Sequence, residues 1–581
     1  MKQFFGCFYA PRDLKYPADG FDAPINYMGR HMLAGRQIAA DGGAMAMAVG
    51  RPRNAASLKE ALSQDGLHLS GDSVGALVLA CYRRWGEDYP RHLEGVVVSA
   101  VIDQDSRTLI LSRDAMGCLP LFYAHQGGCV AFADHPAKLF ALSSIRPTVD
   151  ENGLKELFAL GPARTPGHTP FKDIRQLKPG CQLVAHEYQI RETPYFQIEA
   201  WPHEQSEADT IETVREMVIR AVRDIAPLEP LSMLSGGLDS TVLTALLCKE
   251  MSEPVHTLSV DYQDNARYFN STGYQPDQDA PWVERAVKLL GTKHTRVVLP
   301  IEGLHQALEP AMAARGFPGM ADVDSSLLLF GEKIALQGNV VLSGECGDEV
   351  FGGYPWFHRP DLIARDGFPW SGSLALRESI LKPALRKRLK LMEYAHQRYH
   401  EALRRLPILP GEADGEARLR QIQGLCLSWF MPVLQERAQR MCGYSGVSVL
   451  TPYCDERLVQ YVYNVPWTLK SLRGQEKGLL RQAMEGVLPE DLLWRKKSPY
   501  PKTYHPEYAR QVCEILRAIL EDRTAPLNQI IDKEAVTRIM EGSLSPADTP
   551  WFGQLMTGPQ MLAHLIQMDQ WMRAYHVEFN L

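Results

Sequence analysis

Leu234-Ser-Gly-Gly-Leu-Asp-Ser-Thr241 joins two apolar runs of different texture. The residues leading into it, Pro230-Leu-Ser-Met-Leu234, suit a buried strand, and those leaving it, Val242-Leu-Thr-Ala-Leu-Leu-Cys248, suit a helix packed on a sheet. The octet is therefore a strand-to-helix turn. Such a turn presents unpaired backbone N–H groups at a helix N-terminus, and adjacent glycines let a polyanion approach the backbone closely. Phosphate is the ligand these features favour.

A Walker loop is excluded, because it spaces its glycines four residues apart and ends in Lys-Ser/Thr, and no lysine follows here. Ser235, Gly236, Gly237, Ser240 and Thr241 can donate to a pyrophosphate, whereas Asp239 needs a cation to offset its charge. A Mg²⁺ bridging Asp239 and the phosphates resolves that conflict. The alternative is a plain glycine turn capped by Ser or Asp. A second stretch, Leu342-Ser-Gly-Glu-Cys-Gly-Asp-Glu-Val-Phe-Gly-Gly-Tyr354, supplies what the first lacks. Asp348 could complete the magnesium site, and Glu345 could take a proton from a nucleophile held near a reacting carbonyl. Taken alone, this stretch could be a helix start rich in capping acids.

Outward from these motifs, the texture from Thr210 onward alternates strands with helices. The expected elements are helix 211–225, strand 231–234, the helix after the octet, strand 255–260, a polar insertion, helix 281–290, and strands 295–299 and 339–343. That order implies a parallel sheet with helices on both faces and ligands beyond the carboxyl ends of the strands. From about Phe368 the chain reads as mostly helical. Before residue 200, short β-rich runs at 44–49, 95–102, 109–112, 119–123, 130–133 and 182–186 suit antiparallel layers with some helical cover. The expected domains are 1–200 and 210–581, joined by a polar linker at 201–209.

Composition excludes several function classes. A net charge of −7 with 23% charged residues argues against a nucleic-acid binder or a membrane-surface protein. The basic run from Leu381 to Lys390, continuing toward Arg404, reads as a solvated amphipathic helix. The eleven cysteines include no C-x-x-C pair and have no nearby histidine at metal-ligand spacing, so reduced, buried thiols are expected. The apolar stretch in MKQFFGCFYAPRD is too short for a signal-peptide core, and no later run reaches the roughly 18 residues of a membrane span. The cytoplasm is the expected location.

SGGLDS at 235–240 together with LSGECGDEVFGGYPWFH at 342–358 resembles the synthetase domain of the glutamine-dependent asparagine synthetases, a PP-loop ATP pyrophosphatase fold. The likeness extends through Thr451-Pro-Tyr-Cys-Asp455, Glu476-Lys-Gly-Leu-Leu-Arg481 and Leu493-Trp-Arg-Lys-Lys-Ser498. Arg113-Asp-Ala-Met-Gly-Cys-Leu-Pro-Leu-Phe-Tyr123 is similar to a turn of the family's Ntn-type glutaminase domain. The resemblance implies an α/β protein with an antiparallel α+β glutaminase-like domain, a parallel-sheet synthetase domain and a helical C-terminal part. It implies ATP and Mg²⁺, cleavage to AMP and pyrophosphate, an acyl-adenylate, and attack on it by ammonia or another amine. By position, Ser235, Gly236, Gly237, Asp239, Ser240, Ser343 and Gly344 would hold pyrophosphate, Leu234 and Val260 would flank adenosine, and Asp239 and Asp348 would hold the metal. Glu345 would be the base, with Lys497 and Lys477 facing the phosphates. The partners implied are a small-molecule or peptide carboxylate and an amine donor, with no nucleic acid and no membrane; a homodimer is compatible with the resemblance.

Two departures matter. The family's nucleophilic cysteine is followed directly by glycine, but Phe5 precedes Gly6 here, and Cys7 falls on its other side. The family's Asn-Gly-Glu stretch is missing from Ala44 to Asn54, so the N-terminal domain is expected to lack glutaminase chemistry unless cleavage after Gly6 unmasks Cys7. The stretch that grips aspartate in the bacterial enzymes, Thr-Thr-x-Arg, is replaced by Gly319-Met-Ala-Asp-Val-Asp-Ser-Ser326, where Asp322 and Asp324 cannot fix a carboxylate. Intramolecular amide cyclisation of the lasso-peptide or β-lactam type is therefore an alternative. A silent nucleotide-binding scaffold is the non-enzymatic one.

Overall fold

In Ala44-Met-Ala-Met-Ala48 every second side chain must face the same way once the chain is extended, and the two sets differ sharply in size. The computed structural model, which describes residues 4–9, 24–186, 189–271, 277–542 and 550–581, shows what each set meets. The chain divides into two units, one of Met1–Gly153, Thr165–Gln197 and Tyr575–Leu581, the other of Leu154–Arg164 and Ile198–Ala574.

The first unit stacks two six-stranded antiparallel sheets. One runs in the order Gln189–Pro194, Cys181–His186, Thr108–Ser112, Gly95–Asp103, Ala44–Pro52, Ile38–Ala40; the other runs Arg175–Gln176, Phe122–Gln126, Cys129–Ala133, Phe4–Phe8, His31–Gly35, Ile25–Met28. Met45 and Met47 enter the core between the sheets with Phe4, Phe8 and Leu33. Ala44, Ala46 and Ala48 face helices Ala55–Gln64 and Val74–Trp85, meeting Leu58, Leu62 and Leu77. Small residues on that face let the second helix lie close, and a Cβ on Gly75 would stand 3.2 Å from the Ala46 carbonyl oxygen.

Buried Arg113 organises the turn that follows the strand Thr108–Ser112. Its guanidinium donates to the carbonyls of Leu119 (2.7 Å), Leu177 (2.7 Å) and Gly117 (2.9 Å), while Asp114 accepts from the amides of Cys118 (2.8 Å) and Leu119 (3.0 Å). The strand expected at 119–123 therefore begins only at Phe122, because the Leu119 carbonyl is taken by Arg113 rather than by a ladder partner.

The second unit carries a parallel five-stranded sheet in the order Lys293–Leu299, His256–Tyr262, Leu231–Met233, Val340–Leu342, Ser448–Leu450. Strand order reverses between Leu231–Met233 and Val340–Leu342, which are hydrogen-bonded neighbours. The crevice at such a reversal, beyond the carboxyl ends, is where ligands bind in open α/β sheets. The edge strand Ser448–Leu450, only three residues long, interrupts a C-terminal part otherwise read as helical. The linker reading ends at Ser206, whose hydroxyl accepts from Asp209 N and starts helix Glu207–Arg223; the polar Glu-Ala-Asp that follows is the exposed first turn of that helix. The basic run forms two helices, Pro383–Leu389 and Leu391–Leu403, broken at Lys390 (φ +48°), with Leu385, Leu389 and Leu391 buried, Lys382, Lys387, Arg388 and Lys390 exposed, and Arg386 half-buried and donating to the carbonyls of Glu378, Ser379 and Leu381. All eleven cysteines are free thiols, nine of them buried. Among the described residues no helix is long and apolar enough to cross a membrane.

Arg113→Met keeps the side chain's bulk but leaves three buried carbonyls without a donor, at roughly 1–3 kcal/mol each. Protection from hydrogen exchange in the strand Gly95–Asp103 should fall by about 3 kcal/mol or more. Unchanged protection there would remove Arg113 from its organising role.

Candidate active site

The octet forms the turn between strand Leu231–Met233 and helix Leu238–Glu250. Gly236 has φ +70°, and a Cβ there would stand 2.7 Å from the backbone of Trp282 and Val283, so only glycine fits. Gly237 is the helix N-cap and makes no side-chain cap, leaving the first-turn amides available to an anion. Ser235 and Ser240 brace the turn through their hydroxyls, 3.0 Å apart, and Thr241 donates to the Gly237 carbonyl at 2.7 Å.

The second motif presses directly on this helix. A Cβ on Gly344 would lie 2.9 Å from Ser240 N, one on Gly347 would lie 2.7 Å from the Asp239 carboxyl carbon, and one on Gly353 would overlap Asp348 and Lys477. Glycines at these positions let Asp239 and Asp348 approach from the first turns of the helices Leu238–Glu250 and Gly347–Phe351, which follow neighbouring strands. Lys477, 3% exposed, ion-pairs with Asp239 and lies 2.5 Å from Asp348 Oδ1, and Lys497 Nζ lies 2.7 Å from Asp348 Oδ2. Lys477 reaches this place from a left-handed backbone (φ +55°) at the start of helix Gly478–Ala483, and Cys346 beside Glu345 is also left-handed (φ +76°). Strained non-glycine backbone concentrates at functional sites. Burial pushes Asp348 upward, but Lys477 and Lys497 outweigh it and hold the carboxyl at about 2. Burial also raises Asp239, against the pull of Lys477.

All the residues assigned above to ATP, metal or catalysis line one cavity of about 350 Å³ in the second unit, except Gly236 and Thr241, whose hydroxyl is turned onto the Gly237 carbonyl instead. Its apolar wall includes Leu234, Leu258, Val260, Leu327 and Phe330; its polar floor includes Ser343, Gly344, Glu345 and the Asp239–Lys477–Asp348 cluster. Buried Asp239 Oδ1 has no hydrogen-bond partner and belongs to a hard-oxygen pair, so the residues present fit a Mg²⁺ ion. Glu345 lies 3.4 Å from Arg437 Nη1; burial raises its pKa and Arg437 opposes that rise. Lys496, the other lysine of the Lys-Lys pair, is exposed and does not line the cavity.

Several lining or flanking residues escaped the sequence reading. Arg495 donates to the Ser235 carbonyl at 3.4 Å and ion-pairs with Asp279 at 2.5 Å, bracing the octet from the segment that carries Lys497. Arg437 stacks on Tyr500 and binds Asp324, which also accepts from Arg315 and Met320 N. Asp324 is thus spent on structure, and burial lifts Asp322 to about 6 outside the cavity. Position within a motif signals Arg495; nothing local in sequence signals Arg437.

In the first unit, Phe5 is fully buried in the strand Phe4–Phe8, opposite Ala34 and Ala133. Cys7 is fully buried in the same strand, and its thiol is raised well above the ordinary range by a hydrogen bond with Cys129 and by burial. A thiol so raised is not a thiolate at neutral pH.

Residues 210–573 match the asparagine synthase family model, and residues 34–196 match the glutamine amidotransferase domain model. The double antiparallel sheet and the parallel sheet are the Ntn-type and PP-loop folds that those two matches entail. Among curated proteins, the chain is 40% identical over 533 residues to asparagine synthetase [glutamine-hydrolyzing] 3 of Bacillus subtilis (strain 168), covering 91% of this chain and 86% of the relative. It is 23% identical over 528 residues to asparagine synthetase [glutamine-hydrolyzing] 1 of the same organism, covering 84% and 80%.

Beneath the acid pair, burial and then the Asp348 charge push Glu349 up to about 8 from 4.5, against a hydrogen bond from Tyr354 OH at 2.6 Å. The folded pKa lies above the unfolded one, so the contribution of Glu349 is full below about 4.5 and is lost as pH rises through about 8. Between about pH 5 and about pH 9 the wild type should lose on the order of 4 kcal/mol relative to Glu349→Gln, read from urea midpoints. Parallel pH profiles for the two proteins would show that Glu349 is ionised in the fold.

Proposed function

We propose a reaction course for this chain, which belongs to the asparagine synthase family and is an ATP-dependent amide ligase. A substrate carboxylate attacks the α-phosphorus of ATP, pyrophosphate leaves, and an amine then displaces AMP from the acyl-adenylate to give the amide. The observation that carries this course is the convergence of an uncapped helix N-terminus, two carboxylates, two lysines and Glu345 on one cavity.

The amides after Gly237 and the hydroxyls of Ser235 and Ser240 receive the leaving pyrophosphate, with Ser343 and Gly344 beside them. Leu234 and Val260 flank the adenosine on the apolar wall. Asp239 and Asp348 would hold Mg²⁺, which when bound neutralises polyphosphate charge. Lys497 and Lys477 meet the charge that develops on the phosphates during displacement. Glu345, lifted by burial, is a better proton acceptor than an exposed carboxylate and takes the proton released when the amine attacks.

The acceptor is a carboxylate of a small molecule or peptide. An aspartate would need a cation for its second carboxylate, and the one beside Glu345, Arg437, is already shared between Asp324 and Glu345. The amine is ammonia or another free amine rather than nitrogen taken from glutamine, because Phe5 stands where the family nucleophile would be and the Cys7 thiol is buried. The eleven free thiols suit a reducing cytoplasm.

Two experiments test this reading. Glu345→Gln should still exchange labelled pyrophosphate into ATP in the presence of the acceptor, while amide formation falls by about 10²–10⁴-fold; equal loss of both would take the base role from Glu345. With wild-type enzyme, ammonium should support AMP release and glutamine should not, and Cys7→Ala should leave turnover unchanged. Glutamate released from glutamine in step with AMP would overturn the nitrogen assignment.

A further inference from the structure

Away from the cavity, three side chains with metal-ligating atoms converge on the surface of the second unit. His396 and His400 stand one turn apart on helix Leu391–Leu403, and Asp366 reaches them from the segment before Phe368. Their ligand atoms all lie within 4.8 Å of one another. His396 Nε2 and His400 Nε2 are 3.0 Å apart, Asp366 Oδ2 is 3.2 Å from the first, and Asp366 Oδ1 is 3.3 Å from the second.

These separations match the edges of a coordination sphere. With metal–ligand bonds of about 2.0–2.1 Å, neighbouring donors stand about 2.9 Å apart in an octahedron and about 3.3 Å apart in a tetrahedron. The hydrogen-bond account of the same geometry does not close. Each Nε2 offers either one lone pair or one proton, so it cannot serve the carboxylate and the other imidazole at once. One cation shared by all three satisfies every donor atom.

The approach of Asp366 to the helix is built into the fold. Arg418 donates to the carbonyls of Ile363 (2.8 Å) and Arg365 (2.6 Å) and to Tyr399 OH (2.7 Å), tying the residue before Asp366 to the residue before His400. On the other side of Asp366, the Phe368 ring packs edge-on against Tyr399. The aspartate is therefore fixed from both flanks by groups that do not belong to the cluster.

We propose that Asp366, His396 and His400 form a binding site for a borderline divalent transition-metal ion of the Zn²⁺, Co²⁺ or Ni²⁺ type, distinct from the Asp239–Asp348 pair. Two imidazoles select such ions over Mg²⁺ and Ca²⁺, which prefer oxygen. Water fills the remaining positions, since the cluster faces solvent, and the bound ion fastens the segment 363–368 to helix Leu391–Leu403.

The test uses untagged full-length protein titrated with Co²⁺ in excess Mg²⁺, which occupies the oxygen-only pair. Equilibrium dialysis and visible absorption should show one Co²⁺ per chain. His396→Ala and His400→Ala should each abolish it, and Asp366→Asn should weaken it by at least the roughly 10–100-fold that even outer-shell partners cost. Zn²⁺ should raise the melting temperature of the wild type and leave that of the His396→Ala/His400→Ala double variant unmoved. Absence of bound Co²⁺ in the wild type, or equal stoichiometry in wild type and double variant, would overturn the assignment.

Discussion

Two carboxylates can both stay ionised in a shared buried pocket only if positive charge stands between them, and the second unit is arranged around that demand. Asp239 and Asp348 sit in the first turns of the helices that follow the two strands flanking the reversal of sheet order, so the topology itself brings them face to face. Gly344, Gly347 and Gly353 remove the side chains that would keep them apart. Lys477, turned inward by a left-handed backbone, supplies one compensating charge and Lys497 the second.

That balance explains the behaviour of the next carboxyl down. With two acids matched by two ammonium groups, no cation is left for Glu349, which therefore keeps its proton and hydrogen-bonds to Tyr354 instead. Glu345 takes a middle course. It shares Arg437 with Asp324, so it is neither fully neutralised nor left alone. Three acids within one short stretch thus have three different proton affinities, set by their neighbours rather than by their own chemistry.

Much of this could be read from the chain. The alternation of strands and helices after Thr210, the octet and the Gly-Glu-Cys-Gly-Asp run indicate the parallel sheet and most of the cavity at the carboxyl ends of its strands, because glycine spacing and clustered acids are local signals; the order of the strands, and with it the reversal, is not local. The alternating Ala44–Ala48 run shows a strand with two unlike faces. What escaped depends on partners distant in sequence. Arg113 claims the Leu119 carbonyl and delays a strand; Ser448–Leu450 joins the sheet as a three-residue edge; Arg437 acquires its place only when Asp324 and Glu345 are folded around it. His396 and His400, one turn apart in the sequence, are a local signal of the surface cluster, but Asp366 joins them only when the segment before Phe368 is laid against their helix.

The cavity also has an order of assembly. Its wall begins at Met233 and its last members lie near Pro501, so the lining spans nearly half of the chain as the ribosome delivers it. Asp239 and Asp348 emerge well before Lys477 and Lys497, and until those lysines arrive the two acids have no reason to come together. Closing so long a crossover costs entropy before any contact compensates for it. A nascent or prematurely ended chain therefore holds the glycine turn without the charges that complete the cavity around it, and that cavity is among the last parts of the molecule to come into being.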